Sequence, residues 1–517
     1  MNLVSSVHEM ATSQPEKTAY HFMGKDTSYA EFDDSVSKFA SALQGLGIEK
    51  GDHVAFLLGN SPHFLISLYA TIRVGAIVIP VNPIYTPAEI SYIIHNSDAK
   101  AVIALDALLP LVEQASGAFP TVTSYIICET DPSAAEKMAA LPAGLQEKVH
   151  SFTQLLASGK SDVKPAAVDE NETAIILYTS GTTGSPKGAM LTHKNIYSNA
   201  RDVADYLGYA NDDRIVATLP VFHVFALTVV VNAPLLSGAT ILLVPRFSPG
   251  DVFNIVKEQK ATIFAGVPTM YNFMNQFPGA VSEDFDTVRL SISGGSAMPV
   301  ALLHSFEEKF KVRISEGYGL SEASPVTCFN PFDRERIPGS IGTSVTNVEN
   351  KVVNELGEEV GVDEVGELIV RGPNVMKGYY KMPEETEVAL RNGWLYTGDM
   401  ARRDENGYFY IVDRKKDLVI VGGYNVYPRE VEEVLFEHRD VVEAAVIGVP
   451  DADFGEAVHA FVVLKDGAEE DIESLERYCA SKLAKYKVPN KFEFLDELPK
   501  NTTGKILRRS LKEHVTI

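Results

Sequence analysis

The sequence has few cysteines and an excess of acids over bases. Cys128, Cys328 and Cys479 lie far apart and form no CxxC pair or metal-ligand spacing, which argues against a disulfide framework and favours a reducing compartment. The formal net charge is -23, from 46 Lys and Arg against 69 Asp and Glu. Such a charge repels nucleic acid and anionic lipid. A cytoplasmic protein that does not bind nucleic acid is therefore expected.

Long apolar runs, a secretory signal and internal repeats are also missing. The first ten residues, MNLVSSVHEM, contain no basic residue other than His8 and carry an acid at Glu9, unlike a secretory signal. The longest apolar region begins at Val224 and is interrupted by Asn232 and Pro234, so it falls short of the roughly 18 apolar residues of a membrane span. We predict a buried helix followed by a buried strand there. No period of 20 to 50 residues suggests a solenoid or propeller.

Short runs rich in Val and Ile recur along the first 330 residues with helical segments between them, including HVAFLLG, AVIAL, TAIILYTS, ATILLVP and LSISGG. This alternation predicts an α/β fold with mostly parallel or mixed sheets covered on both faces. Shorter strands with glycine turns then suggest a small β-barrel-like part. The predicted organisation is a large domain over residues 1–413, a hinge at 414–417 and a small mobile α+β domain over 418–517.

Residues 178–188 read YTSGTTGSPKG, directly after the apolar run TAIIL. The stretch fails the Walker pattern, because the second glycine would fall at Pro186 and the hydroxyl residue after the lysine at Gly188. It remains suited to phosphate, since glycines permit close approach, hydroxyls and backbone N–H groups donate, and Lys187 supplies charge. A surface loop without a ligand is the alternative. The candidate phosphate-binding residues are Thr179, Ser180, Gly181, Thr182, Thr183, Gly184 and Lys187.

The longer stretch YTSGTTGSPKGAMLTH resembles the AMP-binding motif of the adenylate-forming superfamily, which includes acyl-CoA synthetases, amino-acid adenylation domains and firefly-type luciferases. Further segments extend the resemblance, in the family's order, over essentially the whole chain. They are ISGGSAMP at 292–299, EGYGLSEAS at 316–324, GWLYTGD at 393–399, YFYIVDRKKD at 408–417 and LPKNTTGKILRR at 498–509. The resemblance implies that a carboxylic acid and ATP form an acyl adenylate and pyrophosphate.

The same resemblance implies roles for individual residues. Tyr318 would stack on adenine, and Asp399 and Arg414 would bind the ribose hydroxyls. Glu322 would hold the magnesium ion, and Lys505 would bridge the attacking carboxylate and the α-phosphate. The remaining candidate nucleotide-binding residues are Gly294, Gly295, Ser296, Glu316, Gly317, Gly319 and Ser321, the last standing where the family usually has threonine.

The segment LPVFHVFALT, residues 219–228, stands where the family begins its acyl pocket. Amino-acid adenylating relatives carry an aspartate just after the phenylalanine, and His223 occupies that place here. An amino-acid ammonium group would lack its partner, whereas apolar neighbours suit a hydrocarbon chain. Phe222, His223 and Leu227 are the candidate pocket or gate residues, with His223 also a candidate catalytic residue. The tryptophan gate that some long-chain relatives carry near Leu227 is absent.

The segment VIVGGYNVYPREVEE, residues 419–433, looks most like bacterial fatty acyl-CoA ligases. By that resemblance, Gly422 and Gly423 would line a passage for the pantetheine thiol of coenzyme A after the small domain rotates about a hinge at Lys416. The expected activity is that of an AMP-forming fatty acid-CoA ligase acting on a long or medium chain.

Several alternatives stay open on the sequence. An aromatic or other small acid could replace the fatty acid, and a carrier protein could replace coenzyme A as the acyl acceptor. A non-catalytic AMP-sensing protein could also keep the fold, although Lys187, Glu322, Asp399, Arg414 and Lys505 all being present speaks against it. A homodimer and transient membrane contact are compatible with the sequence, which does not decide either.

Overall fold

The computed structural model describes residues 3–179, 186–465, 467–500 and 506–515. Helices within these ranges are numbered in chain order. They are α1 (Leu3–Ser13), α2 (Tyr29–Gly45), α3 (Pro62–Val74), α4 (Pro87–Asn96), α5 (Leu109–Ala115), α6 (Ala134–Ala139), α7 (Ala143–Gln146), α8 (Phe152–Ser158), α9 (His193–Tyr206), α10 (Val224–Ala226), α11 (Ala233–Ser237), α12 (Pro249–Gln259), α13 (Pro268–Gln276), α14 (Val300–Phe310), α15 (Pro383–Ala389), α16 (Pro428–Phe436), α17 (Ile472–Lys482) and α18 (Arg508–Val515).

The strands of the large domain's first part follow the predicted Val- and Ile-rich runs. They are β1 (Thr18–Phe22), β2 (Lys25–Ser28), β3 (His53–Leu57), β4 (Ile77–Pro80), β5 (Ala101–Leu105), β6 (Ser124–Cys128), β7 (Val149–Ser151), β8 (Thr173–Thr179), β9 (Lys187–Thr192), β10 (Arg214–Ala217), β11 (Thr240–Leu243), β12 (Ile263–Gly266), β13 (Leu290–Ser293), β14 (Ile314–Gly319), β15 (Val326–Phe329) and β16 (Thr343–Ser344).

The later strands range from two to eleven residues and pair mostly in antiparallel. They are β17 (Glu349–Val353), β18 (Gly366–Arg371), β19 (Gly378–Tyr379), β20 (Leu390–Arg391), β21 (Trp394–Arg403), β22 (Phe409–Arg414), β23 (Val419–Val421), β24 (Tyr424–Val426), β25 (Val441–Asp451), β26 (Gly455–Leu464) and β27 (Lys491–Phe494).

Two large sheets form the body of the molecule. One has nine strands in the order β16-β15-β14-β13-β12-β10-β11-β1-β2, and the other has eight in the order β19-β9-β8-β4-β3-β5-β6-β7. Their central strands pair in parallel. Both edges of the nine-stranded sheet and the β19 edge of the eight-stranded sheet are antiparallel, whereas β7 at the other edge pairs in parallel with β6. Parallel strands buried on both faces need continuous apolar runs, which is why the Val- and Ile-rich segments form them. The predicted α/β class with mixed and parallel sheets is confirmed.

The apolar region from Val224 forms a buried helix followed by a strand, as expected. Its middle, Leu227–Asn232, is a π-helical stretch whose residues are all buried, and Gly238 ends the helix in the left-handed conformation at φ 73°. A buried Tyr209 hydroxyl donates to the Val229 carbonyl, 3.1 Å away. This bond satisfies a carbonyl in the irregular stretch, where the regular α-helical pattern is lost.

A third sheet of five antiparallel strands, β17-β18-β21-β20 with β22 beside β21, follows where the small barrel-like part was expected. This sheet packs on the rest of the large domain through a small apolar core that includes Cys328, Ile341, Leu368 and Phe409. The last sheet, β24-β23-β26-β25 with β27 beside β26, has its own apolar core together with α16 and α17. The chain passes from the third sheet to the fourth between Arg414 and Val419.

Candidate active site

One cavity of about 1420 Å³ collects most of the predicted site. It lies beyond the carboxyl ends of β8, β13 and β14 and is closed on another side by the third sheet and by the small domain. Loops at the carboxyl ends of parallel strands are where α/β folds place their ligands. The cavity is large enough for a nucleotide and a further substrate side by side.

The phosphate-binding candidates lie at the ends of a β-hairpin. Strand β8 ends at Thr179 and β9 begins at Lys187, and these two residues face each other across the pair. Ser180, Gly181, Thr182, Thr183 and Gly184, between these two positions in the sequence, lie outside the described residues, so their predicted role stays a prediction. Thr179 and Lys187 both line the cavity.

Lys187, Tyr379 and Glu322 form a row on one cavity wall. The Lys187 ammonium lies 5.4 Å from the centre of the Tyr379 ring, and the Tyr379 hydroxyl donates to the Glu322 carboxylate over 2.8 Å. Burial, followed by the Glu322 carboxylate, raises the pKa of Tyr379 above its ordinary value. Tyr379 therefore stays protonated and fixes the carboxylate. The motifs did not indicate Tyr379, which reaches the site only because β19 pairs with β9.

Glu322 suits a magnesium ion that is shared with phosphate. Among the described residues, no group of three or more His, Cys, Asp and Glu could enclose a metal ion. Magnesium normally keeps waters and is held by one or two carboxylates plus substrate phosphate oxygens. A single oriented carboxylate beside the phosphate hairpin fits that donor set.

The ribose candidates meet at one carboxylate. Asp399 and Arg414 face each other on β21 and β22, with the Arg414 Nε 3.5 Å from Asp399 Oδ1. The Tyr318 hydroxyl also hydrogen-bonds Asp399, and burial followed by this carboxylate raises the pKa of Tyr318 well above its ordinary value. The Asp399 carboxylate is thus oriented by two neighbours, and a carboxylate so placed can accept both hydroxyls of a diol.

The loop glycines are needed for close packing. A side chain at Gly317 would place its Cβ 2.0 Å from the Phe329 ring, and one at Gly319 would lie 2.3 Å from the Pro325 carbonyl oxygen. Gly295 has φ 82°, in the region that favours glycine. Together with Gly294, Ser296 and Ser321, these residues line the cavity as expected.

Glu316 is almost wholly buried, with 2% of its surface exposed. Its Oε1 accepts a hydrogen bond from the Met298 N–H over 3.0 Å, and its Oε2 has no hydrogen-bond partner. Burial raises the pKa of this carboxyl from its ordinary 4.5 to about 7, against the opposing effect of Arg429. Because the folded protein holds this proton more tightly than the unfolded chain, Glu316 costs stability as the pH rises from about 4.5 through about 7.

Replacing Glu316 by glutamine should therefore change how stability depends on pH. We expect the free energy of unfolding of Glu316→Gln, relative to the unsubstituted protein, to rise by about 1 to 3 kcal/mol between about pH 5 and about pH 8. Urea unfolding at both pH values measures this difference. Glu437→Gln, at a half-exposed surface position, is the control and should show no such trend. A parallel pH profile for Glu316→Gln and the unsubstituted protein would contradict the assignment.

The acyl-pocket candidates are only partly brought to the cavity. Phe222 and His223 line it, and the His223 Nδ1 accepts a hydrogen bond from the Phe225 N–H at the start of α10. Leu227 does not line it. Leu227 begins the π-helical stretch, is 1% exposed and packs in the core. Its role in the acyl pocket stays a prediction.

Phe225 takes the place that was expected for Leu227. It lines the cavity, and its ring lies so close to Gly294 that a Cβ there would be 3.0 Å away. With Val224, Leu320, Pro325 and Val326 it forms an uncharged wall. The sequence alone did not single out Phe225 among the apolar residues that follow His223. Its packing against Gly294, which only the structure shows, is the observation that singles it out.

The small domain carries two predicted functional segments, one containing Lys505 and the other containing Gly422 and Gly423. Lys500, Ile506, Leu507 and Arg508, which flank Lys505, line the cavity, while Lys505 itself lies outside the described residues. The turn of Gly422 and Gly423 does not line it. In this arrangement the residues next to Lys505, which are predicted to serve acyl-adenylate formation, face the cavity. The predicted role of the two glycines in binding pantetheine stays a prediction.

Lys416, the predicted hinge residue, lies at the cavity edge between the domains. Burial and then the neighbouring Arg414 lower the pKa of its ammonium group. Two ion pairs lie beside it: Lys415 contacts Glu367 in the large domain over 3.2 Å, and Arg508 contacts Glu432 within the small domain over 2.6 Å. The hinge role of Lys416 stays a prediction.

Comparison with known proteins agrees with this geometry. Residues 7–380 match the family described as AMP-binding enzyme, and residues 430–505 match the AMP-binding enzyme C-terminal domain. A long-chain-fatty-acid–CoA ligase of Bacillus subtilis (strain 168) is 40% identical over 99% of this chain and 94% of its own length. A feruloyl-CoA synthase of an Amycolatopsis species is 36% identical, covering 97% of this chain and 96% of its own.

Solved structures show the same fold. The ATP-bound MatB from Rhodopseudomonas palustris superposes with a TM-score of 0.88 at 34% identity, covering 99% of both chains. An anthranilate CoA ligase, AuaEII, in complex with anthranoyl-AMP has a TM-score of 0.93 at 29% identity, covering 100% of this chain and 97% of its own. The chain belongs to the AMP-binding enzyme family. Within it, the chain is an enzyme of the AMP-forming acyl-CoA ligases.

Across the part of the chain that the structure describes, no helix is both long and apolar enough to cross a membrane.

Proposed function

We propose that this enzyme joins a long-chain fatty acid to coenzyme A in two steps, in the cytoplasm and with ATP and magnesium. The fatty carboxylate first attacks the α-phosphorus of ATP, releasing pyrophosphate and leaving an acyl adenylate. The thiol of coenzyme A then attacks the acyl carbon and releases AMP. Both steps use one nucleotide site, and the chain contributes positioning and charge rather than a covalent nucleophile.

The observation that carries the proposal is a single cavity with three kinds of wall. Lys187 and Glu322 offer charge for phosphates and a metal ion, Asp399 and Arg414 suit a ribose, and the wall around Phe225 is uncharged. Such a wall stabilises a hydrocarbon chain by about 0.8 kcal/mol per buried methylene.

The residues have separate tasks in this account. Lys187, with residues of the neighbouring turn, holds the β- and γ-phosphates, and Tyr379 keeps the Glu322 carboxylate in place. Glu322 would bind the magnesium ion, which when present offsets phosphate charge. Asp399 orients the ribose, and Lys505 neutralises the two anions that meet during the first step. His223 lies at the start of the acyl wall, next to Phe225.

The relatives support the acyl-CoA ligase activity more firmly than they support a long-chain fatty acid as the substrate. Long-chain-fatty-acid–CoA ligases of Bacillus subtilis and Yersinia pestis are 40% and 38% identical. An aromatic acid is the second candidate substrate, because feruloyl-CoA synthase and the anthranilate ligase are also similar.

ATP-pyrophosphate exchange with a panel of acids tests this proposal. We expect exchange with palmitate and other fatty acids, none with amino acids, and AMP release that requires coenzyme A. Exchange with ferulate or anthranilate but not with any fatty acid would contradict the fatty-acid substrate. Exchange with fatty acids but no transfer to coenzyme A would instead indicate delivery to a carrier protein.

A further inference from the structure

Helix α16 of the small domain contacts the large domain through Arg429 and Glu433. The Arg429 N–H donates to Asp413 Oδ2, and its side-chain Nη1 donates to the Ile411 carbonyl, each over 2.9 Å. Glu433, one turn further on, lies 3.6 Å from the Arg429 Nε. The two residues therefore form one contact surface, which we term the α16 contact.

Glu433 also serves a helix of the large domain. Helix α14 begins at Val300 after Pro299, which offers no side-chain hydrogen bond to the helix N-terminus. The Val300 N–H lies close enough to the Glu433 carboxylate to oppose the rise that burial causes in its pKa. A carboxylate near a helix N-terminus interacts favourably with the unpaired N–H groups and with the helix dipole. The start of α14 therefore faces a carboxylate of the other domain.

Arg429 acts on three carboxyl groups in different ways. Its guanidinium pairs with Glu433, its backbone N–H donates to Asp413, and the buried Glu316 lies close enough for the Arg429 charge to lower its pKa. Asp413 is 5% exposed and Glu316 2% exposed. Removing the Arg429 guanidinium would leave the buried Glu316 without this cation, which is strongly unfavourable, whereas Asp413 would keep the nearby Arg508. The α16 contact is therefore held by charge as well as by hydrogen bonds.

The same helix determines which face of the small domain meets the cavity. Arg429, Glu433, Lys500 and Ile506 line the cavity together, whereas Gly422 and Gly423 do not. We propose that Arg429 and Glu433 are positioning residues that hold the small domain in the arrangement used for acyl-adenylate formation. The α16 contact must separate before the Gly422–Gly423 turn can approach the cavity. This inference rests on the proposed two-step reaction.

Separate assays of the two half-reactions test it. Arg429→Ala and Glu433→Gln should lower ATP-pyrophosphate exchange by about tenfold, the scale of one lost hydrogen bond to a charged group. Thioester formation from pre-made acyl adenylate should be unchanged or faster. Arg429→Lys, which keeps the charge, should lie between the unsubstituted enzyme and Arg429→Ala. Glu437→Gln, directly after the same helix and paired with Lys482 of the small domain, is the matched control and should behave as the unsubstituted enzyme.

Trypsin supplies a second measurement that does not depend on catalysis. The sequence Arg414-Lys415-Lys416 between the domains offers three cleavage sites. Loss of the α16 contact should accelerate cleavage there several-fold in Arg429→Ala, as followed by mass spectrometry of the fragments, with Glu437→Gln unchanged. Equal losses in both half-reactions, or cleavage at the rate of the unsubstituted enzyme, would overturn the inference. If the unsubstituted enzyme shows neither half-reaction, the proposed function fails, while the cleavage rates still test the α16 contact.

Discussion

Replacement of Lys505 by alanine is expected to slow acyl-adenylate formation by about 100-fold or more, the scale for removing a preorganised charge. In the first step, a carboxylate approaches an α-phosphate, so two anions must come together. A cation between them is most valuable in the transition state, where the charge is shared. Thioester formation from pre-made acyl adenylate needs no such cation and should fall much less.

The structure supports this expectation through the neighbours of Lys505. Ile506 and Arg508, just after it, line the cavity, and Arg508 is anchored to Glu432 over 2.6 Å. Arg509→Ala is the matched control, because the Arg509 side chain is 80% exposed and pairs with nearby Glu513 in the same helix. That variant should keep its activity. Equal losses in both half-reactions for Lys505→Ala would show that the lysine is not confined to the first.

Glu322→Gln is expected to lower acyl-adenylate formation by about 100-fold, again the scale of a lost electrostatic contact in the transition state. Glutamine keeps the size of the side chain and can accept the Tyr379 hydrogen bond, so only the charge is removed. A neutral amide is a weaker ligand for magnesium than a carboxylate. Half-maximal activity should therefore require a higher magnesium concentration, as measured by titrating magnesium at a fixed ATP concentration.

Tyr379→Phe separates the charge of Glu322 from its orientation. Phenylalanine keeps the ring beside Lys187 and removes the hydroxyl that donates to Glu322. We expect a loss below about tenfold, since one hydrogen bond to a charged group is removed while the carboxylate remains. A Glu322→Gln enzyme with unchanged rate and an unchanged magnesium titration would refute the assignment of Glu322.

The local sequence was sufficient to predict the main strands of the fold and the positions of several site residues. Parallel strands such as β5 and β13 are short continuous apolar runs, which physical chemistry requires of strands buried on both faces. Asp399 and Arg414 were each predicted from a motif, and strand pairing brings them together. These residues were predictable because each stands in a motif read within one segment.

Contacts between distant segments were not predictable in the same way. Tyr379 meets Glu322 across 57 residues because β19 adds to the edge of β9. Phe225, rather than Leu227, faces the cavity because the helix becomes π-helical at Leu227 and turns that side chain into the core. The approach of the Arg429 side chain to the Ile411 carbonyl depends on how two domains meet. None of these arrangements leaves a pattern within a single stretch of sequence.

The central claim is that a fatty carboxylate is activated by attack on the α-phosphorus of ATP and then passed to coenzyme A. Palmitate labelled with oxygen-18 in both carboxyl oxygens tests it most directly, with ATP, magnesium and coenzyme A supplied to the purified enzyme. The account predicts palmitoyl-CoA together with AMP that carries one labelled oxygen, because the attacking oxygen leaves with AMP. Label in inorganic phosphate or pyrophosphate instead of AMP, or no palmitoyl-CoA, would contradict it.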